Sequence, residues 1–374
     1  MRTIKFGVIG CGLMGKEFAS AAARWCHIEG VSARPEITYV CDVNPAATEW
    51  FARHIEGVKT TTDYKQLLAD PEVEAVYCAL PHNLHAEVYV DILNADKHLL
   101  AEKPFGIDLG ASETIMAAIG NHPDLLVRCS SEFPFYPAAQ RIIQMAKNGE
   151  FGQIIEFQAG FHHSSDLDPN KAINWKRRIA TNGEYGCMGD LGLHVLHIPL
   201  RLGFKPANVR ALLGNIVPQR PDGKGGMADC ETWDNATLAC ESEQGFPMIL
   251  ETKRIMPGCT NTWFIRIYGT KNSAQFTTSR PKTLRTLPYE PGGKQAWHEE
   301  DLGYEGPYKS ITGHIFEFGF TDAILQMWAA FVDELSGGTP KFPCATPQEA
   351  LASHKLFTAA LESQRTGQTI SVKP

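Results

Sequence analysis

The stretch Ile4-Lys5-Phe6-Gly7-Val8-Ile9-Gly10-Cys11-Gly12-Leu13-Met14-Gly15 decides the fold. Ile4 to Ile9 is a short apolar, β-prone run, followed at once by G-x-G-x-x-G and then by the Ala-rich, helix-prone segment Lys16 to Trp25. Strand, glycine turn and helix, in that order, are what a dinucleotide site requires. Gly10 allows the tight turn, Gly12 lets the main chain approach a pyrophosphate, and Gly15 lets the helix pack close to the strand. The helix start then offers N–H groups and a positive dipole end to phosphates. Gly10, Gly12, Leu13, Met14 and Gly15 are therefore candidate cofactor contacts.

Outward from this turn, Ile37 to Cys41 reads as a second strand ending at Asp42. A carboxylate there accepts hydrogen bonds from the adenosine ribose hydroxyls and repels a 2′-phosphate, which favours NAD over NADP. The spacing from Gly15 is longer than usual, and His27 to Pro35 looks like the insertion that accounts for it. The plainer reading is that Asp42 only opens a turn with Asn44-Pro45. Thr62-Asp63 can cap a short helix from Tyr64 to Ala69. Ala75 to Leu80, His98 to Ala101 and Leu125 to Cys129 read as further strands, with turn and helix from Pro81 to Ala95. Strands alternating with helices predict an α/β, doubly wound parallel sheet over residues 1–130. Ligands of such sheets sit at the carboxyl ends of the strands. Asp42, the Leu80, Pro81, His82 and His85 turn, and Glu102 with Lys103 then surround one crevice with the glycine turn.

From about Glu132 the rhythm changes. Ile154–Phe161, Val209–Val217, Thr232–Ser242, Pro247–Met256 and Trp263–Thr278 look like strands joined by turns, with few helices between. This predicts a large, mostly antiparallel open sheet in a second α/β domain, residues 131–374. In the first of these strands Ile155, Phe157, Ala159 and Phe161 take one face, leaving Glu156 and Gln158 for solvent or a partner subunit. Pro218 to Gly226 and Pro288 to Gly306 read as surface loops. Phe320, Ile324, Met327, Trp328, Phe331 and Leu335 form one helical face, the pattern of core packing. A last helix, about 347–366, opens on the capping box Thr346-Pro347-Gln348-Glu349, ends at Gly367, and is expected to pack back on the first domain.

Composition narrows the function classes. The 374 residues carry 35 basic and 42 acidic side chains, a formal charge of -7, so there is no footprint for nucleic acid. No uncharged apolar run approaches the ~18 residues of a membrane helix. Val8-Ile9-Gly10-Cys11 resembles a lipoprotein cleavage site, but its apolar run is too short for a signal peptide. The ten cysteines form no C-x-x-C pair, which supports neither a zinc ribbon nor a dithiol motif. They read as reduced thiols of a cytoplasmic protein.

Two patterns could carry chemistry. Lys103, directly after a strand, would point into the crevice and polarise a substrate oxygen; the plainer reading is a surface lysine that starts a turn. In Gly189-Asp190-Leu191-Gly192-Leu193-His194, continuing to His197, the acid and both imidazoles share one helical face. That face reads as a proton-transfer pair, a metal site or a polar helix side. His162, His163, Asp166 and Asp168 could add ligands, but adjacent histidines on a strand end point apart, and no metal is expected.

These residues together resemble the Gfo/Idh/MocA oxidoreductases, the family of glucose–fructose oxidoreductase and inositol dehydrogenase. The resemblance spans nearly the whole chain and rests on Gly10 to Gly15, Ala79-Leu-Pro-His-Asn-Leu-His85, Glu102-Lys-Pro104, Asp190-x-Gly-x-His194 and the final helix. Leu80 and His82 replace the family's Thr and Asn, and His197 stands where Asp or Asn is frequent. The resemblance implies a Rossmann domain and an open sheet that mediates homodimers or homotetramers. It also implies an NAD-dependent dehydrogenase of a sugar or polyol. In that reading Lys103 hydrogen-bonds the reacting hydroxyl, Asp190 orients the substrate or base, His194 takes the proton, and hydride passes to nicotinamide C4. Trp175, Tyr185 and His197 are candidates to line the sugar pocket. Alternatives are NAD cycling without net redox, as in a glycosidase or epimerase, a non-catalytic sensor, and a metal enzyme using Asp190, His194 and His197.

Overall fold

The apolar run at the head of the chain is strand β1, Arg2–Ile9, in the computed structural model, which describes residues 1–373. Helix α1, Leu13–Ala23, follows the glycine turn, and β2 is Ala33–Cys41. Next come α2, Pro45–His54; β3, Lys59–Thr61; and α3, Tyr64–Leu68. Asn44 and Asp63 cap these two helices by accepting from the N–H groups of Ala46 and Lys65. Each cap satisfies an otherwise orphaned donor. β4, Ala75–Cys78, α4, His85–Asn94, β5, His98–Ala101, α5, Leu109–Asn121, and β6, Val127–Cys129, complete the alternation. Among the described residues, six strands pair in the order β3-β2-β1-β4-β5-β6, all parallel. The expected doubly wound sheet is present.

After α6, Pro137–Lys147, the chain enters β7, Ile154–His162. A single turn α7, Ile179–Asn182, precedes α8, Cys187–Arg201. The strands that follow are β8, Asn208–Gly214; β9, Gln219–Pro221; β10, Met227–Asp229; β11, Asn235–Glu241; and β12, Pro247–Lys253. Then come β13, Thr262–Gly269; β14, Asn272–Thr277; β15, Thr283–Pro288; and β16, His298–Asp301. Helices α9, Phe320–Leu335, and α10, Pro347–Thr366, and the short β17, Ile370–Ser371, end the chain. The large sheet runs β16-β15-β14-β13-β7-β12-β11-β8-β17. All its pairs are antiparallel except β7 with β12. Helix α8 packs across β7, β11 and β12. Phe157, Ala159 and Phe161 are buried on β7 as expected, but Ile155, at the strand's start, is 55% exposed.

Two stretches expected as loops carry strands. Residues 219–229 form the β9–β10 hairpin, and 298–301 add β16 to the sheet edge. Both are short, and β16 is exposed throughout, so neither shows apolar alternation.

The chain divides into two compact units. The first holds Met1–Gly106, Gly110–Phe135 and Tyr304–Ala350; the second holds Ile107–Leu109, Tyr136–Gly303 and the chain from Leu351 onward. Residues 304–350, expected in the second domain, thus belong to the first unit. The reason is α9: Trp328 stacks on Phe18 with ring centroids 3.6 Å apart and meets Tyr77 edge-on at 4.9 Å. Phe6 lies 5.8 Å from Trp328 and 6.2 Å from Phe331. Full burial of each such ring is worth roughly 1.5–3 kcal/mol, which outweighs sequence distance. The capping box of α10 forms, with Thr346 N–H donating to Glu349 Oε2 at 2.8 Å and Glu349 N–H to Thr346 Oγ1 at 3.2 Å. The first turn of α10 falls in the first unit and the rest in the second.

Candidate active site

In the first unit a row of backbone bonds carries the sheet past its strand ends. Gly10 N–H donates to Cys41 O at 2.8 Å, Ala79 N–H to Ile9 O at 2.8 Å, Glu102 N–H to Cys78 O at 3.2 Å, and Ser130 N–H to Ala101 O at 2.8 Å. The loops at Gly10–Gly15, Asp42, Ala79–His85, Glu102–Pro104 and Ser130–Glu132 therefore stand side by side, as the parallel topology requires.

The glycine turn fits a dinucleotide. Gly10 has φ +97°, and a Cβ there would lie 2.2 Å from Ala79 O. A Cβ on Gly15 would lie 2.3 Å from Gly10 O, so the helix start closes directly on the turn. A Cβ on Gly12 would meet nothing within 4 Å, which leaves that side of the main chain open to a ligand. No side chain caps α1 and no acidic residue sits in its first turn. An uncapped start of this kind suits a pyrophosphate. Asp42 Oδ2 accepts from Cys11 N–H and Oδ1 from Asn44 N–H, both at 2.9 Å, so the carboxylate is fixed between the glycine turn and the end of β2. Leu13 and Val43 flank this groove 74% and 87% exposed, an apolar rim a flat base would cover.

Lys103 is half-buried after β5, and its peptide bond to Pro104 is cis. Glu102 faces inward: Oε1 accepts from Tyr77 OH at 2.7 Å and Oε2 from Lys103 N–H at 3.3 Å. Leu80 and Pro81 are partly exposed and His82 is buried. His85 is wholly buried, with Nδ1 2.7 Å from Pro104 O and Nε2 2.9 Å from Leu80 O. Glu102 and His85, both expected as cofactor contacts, are instead internal braces of the crevice wall, because their polar atoms are used within the fold. Sequence reading missed Glu132, buried just beyond β6. Burial pushes its carboxyl up to about 7, with Glu102 raising it and the Lys103 charge opposing.

In the second unit, α8 carries Asp190 in its first turn and His194 one turn later, both nearly inaccessible. The start of the helix favours the acid. Gly192 makes the packing possible: a Cβ there would lie 2.2 Å from the Phe357 ring of α10. His194 O accepts from Trp263 Nε1 at 2.9 Å, and the Phe161 ring meets the imidazole edge-on at 5.4 Å. Asp190 is gripped by two cations. Lys176 Nζ stands 3.2 Å from both carboxylate oxygens, and the buried Arg254 pairs with Oδ2. Arg177 joins the same cluster, pairing with Asp166 at 3.1 Å and with the fully buried Asp234. Burial, reinforced by the Arg177 charge, brings Arg254 down to about 10. For Asp166, burial pulls upward, yet Lys171, Arg177 and Arg254 hold it below the usual carboxylate range.

This cluster also orders the loop from His163 to Asn174. Arg220, buried in the β9–β10 hairpin, donates to Asp166 O and, at 2.7 Å, to Asp168 O. Its members are spread from position 166 to 254, and only the acids Asp166 and Asp190 stood out in the sequence; Lys176, Arg177, Arg220, Asp234 and Arg254 carried no local signal.

Of the three candidate sugar contacts, Trp175 remains. It is partly exposed in the helical turn Trp175–Arg177, with the Lys176 ammonium 5.5 Å from its ring centre. Tyr185 is not a pocket wall: it is buried, its hydroxyl is 2.7 Å from Thr358 Oγ1, and its ring packs on His354 and Phe357. His197 is not a substrate contact either, being fully buried with Nε2 3.2 Å from Arg201. His162 and His163 point apart, the first 3.3 Å from Glu251 and the second 2.9 Å from Thr260 O. Among the described residues, no three His, Cys, Asp or Glu side chains group as a metal site would need. The ten cysteines are all free thiols, eight of them buried. Among the described residues, no helix is long and apolar enough to cross a membrane.

Comparison with known proteins bears on both units. Residues 4–127 match the oxidoreductase family with an NAD-binding Rossmann fold, and residues 139–275 match the GFO/IDH/MocA C-terminal domain. Together the two matches span more than two thirds of the chain. The levoglucosan dehydrogenase of Pseudarthrobacter phenanthrenivorans is 25% identical over 348 residues, 84% of this chain and 89% of that protein. Solved structures of levoglucosan dehydrogenase, in complex with NADH and levoglucosan and with NADH and L-sorbose, superpose with a TM-score of 0.90 at 22% identity, covering 100% of each chain. At that identity the likeness is one of fold.

Proposed function

Because the chain belongs to the Gfo/Idh/MocA oxidoreductase family and has its NAD-binding domain, we propose that it is an NAD-dependent dehydrogenase of a secondary hydroxyl on a sugar or polyol. The observation that carries this reading is the buried face of α8. Asp190 and His194 stand one turn apart there, and Asp190 is gripped by Lys176 and Arg254. A sensor of nucleotide or sugar has no need of a buried acid and imidazole held in this way. The levoglucosan dehydrogenase likeness supports a carbohydrate substrate.

NAD⁺, when bound, supplies the acceptor for two electrons from the reacting carbon. Gly10, Gly12, Leu13, Met14 and Gly15 hold its pyrophosphate with main-chain N–H groups, and Asp42 takes its ribose hydroxyls. Lys103 donates a hydrogen bond to the reacting oxygen and stabilises its negative charge as the proton leaves. His194 accepts that proton. Asp190 orients the hydroxyl, and its two cations fix the carboxylate in place. Trp175 offers an aromatic face to the apolar side of the sugar.

The same proposal places the enzyme in the cytoplasm, where its thiols stay reduced. It also assigns assembly into dimers or tetramers to the open sheet face, on which Gln158, Glu251, Arg266 and the 63% exposed Leu212 stand. The test is product identification by NMR after incubation with NAD⁺ and sugars or polyols. A ketone formed in equal amount to reduced cofactor is expected. A cleaved or epimerised sugar with no net reduction would replace this reading with internal redox cycling.

A further inference from the structure

Lys103 follows directly on the buried end of β5, yet its own side chain makes only part of the structure around it. The residues before and after it are both held by one helix. Tyr89 OH donates to Glu102 O at 2.9 Å, and His85 Nδ1 lies 2.7 Å from Pro104 O. His85 and Tyr89 are four residues apart on α4, so they project from the same face. Their rings stack, with centroids 4.8 Å apart and planes 21° from parallel. Both side chains are at 0% exposure, so neither can touch a substrate. The other ring nitrogen of His85 lies 2.9 Å from Leu80 O, in the loop after β4.

We propose that His85 and Tyr89 are positioning residues that bracket Lys103, holding the carbonyls on either side of it so that its ammonium is presented at a fixed point of the crevice. The inference rests on the assignment of Lys103 to the reacting oxygen. A one-ångström displacement of such a group is enough to cost about 100-fold in rate, so a bracket on both flanks has a measurable purpose. The groups facing the His85 ring are His82, Tyr89 and Lys103. Burial, first, and the Lys103 charge draw His85 down to about 4, against the pull of its two carbonyl partners. At neutral pH the ring is neutral and carries one N–H, which the bracket requires on Nδ1, donating to Pro104 O, the nearer of the two carbonyls. Tyr89 sits deep enough that burial pushes its phenol well above the ordinary value, which keeps the donated proton in place across the working range.

The experiment compares the full-length protein with Tyr89→Phe, which removes one oxygen atom, and with His85→Phe, which keeps the stack but removes both ring nitrogens. His85→Gln restores one donor. Two readouts are taken on each: kcat, and the rate at which an amine-selective reagent labels Lys103 relative to Lys16, read by mass spectrometry. The bracket predicts that each Phe variant lowers kcat at least tenfold and changes the relative labelling of Lys103 at least threefold. It predicts that the double variant is no worse than about twice the poorer single, and that His85→Gln recovers part of both. Labelling and kcat within twofold of the parent in folded Tyr89→Phe and His85→Phe overturn the bracket. A labelling change with kcat unaffected overturns instead the role of Lys103, because the ammonium then moves without consequence.

Discussion

The two units build their candidate groups from different materials. In the first, the cofactor groove is mostly main chain: a glycine turn, an uncapped helix start and carbonyls and N–H groups at strand ends, with Asp42 set beside the glycine turn. In the second, the site is side-chain charge, with Asp166, Asp190 and Asp234 set among Lys176, Arg177 and Arg254. Charged side chains, which change with single substitutions, are the part to which the proposed function assigns reaction and substrate. The contrast also sets how each half fails, since a groove tolerates loss of a side chain and a buried charge cluster does not.

The largest effect belongs to the proposed reacting groups. Lys103→Ala and His194→Ala are each expected to lower kcat by roughly 10²–10⁴ while leaving the NAD⁺ dissociation constant within a few-fold, since neither builds the groove. Stopped-flow rates and cofactor fluorescence check this, and a lost NAD⁺ affinity in either variant would erase the division between groove and chemistry. Next is the charge cluster. Arg254→Met leaves buried acids without their partner and is expected to cost about 3–5 kcal/mol in urea unfolding. Lys176→Met removes a side chain about one-third exposed, 32%, and is expected to cost under about 1 kcal/mol. Equal costs would mean the cluster is not organised around its buried arginine.

The smallest effect sharpens the comparison from the side of the groove, where Glu132 is the exception to its main-chain character. Its folded-state pKa of about 7 lies above the ordinary 4.5, so the folded state holds the proton longer than the unfolded one. Its contribution is therefore fully present below about pH 4.5 and is lost as pH rises through 7. Glu132→Gln removes that loss, so the variant should gain roughly 2–3 kcal/mol relative to the parent between pH 5 and pH 8. Parallel pH profiles for the two proteins would show that Glu132 is already ionised in the folded chain.

Legibility followed the same divide. The Rossmann half could be read because each of its parts is local: an apolar run, glycines at fixed offsets, an acid at a strand end. The cap residues Asp63 and Thr346 lie next to the helices they start, whereas Asn44, which caps α2, read only as part of a turn. The face of α8 was legible for the same reason, as Asp190 and His194 are one turn apart. What could not be read are pairings between distant positions. Arg254 meets Asp190 across 64 positions only because β12 lies under α8. Trp328 reaches Phe18 although 310 positions separate them, which is why α9 was expected in the wrong unit. Tyr185 and His197 were misread because an aromatic or a histidine near a motif gives no sign of which way it faces, and both face the core. His85 was legible as important and not as internal, for its partners are carbonyls that sequence does not mark.

The most direct test is the appearance of NADH at 340 nm with the purified protein, NAD⁺ and a panel of sugars and polyols, with NADP⁺ run in parallel. The account predicts a signal with NAD⁺ on one class of carbohydrate, much weaker with NADP⁺ because Asp42 repels a 2′-phosphate, and abolished in Lys103→Ala. Full turnover in Lys103→Ala, or silence across the panel from protein that binds NAD⁺, would contradict it.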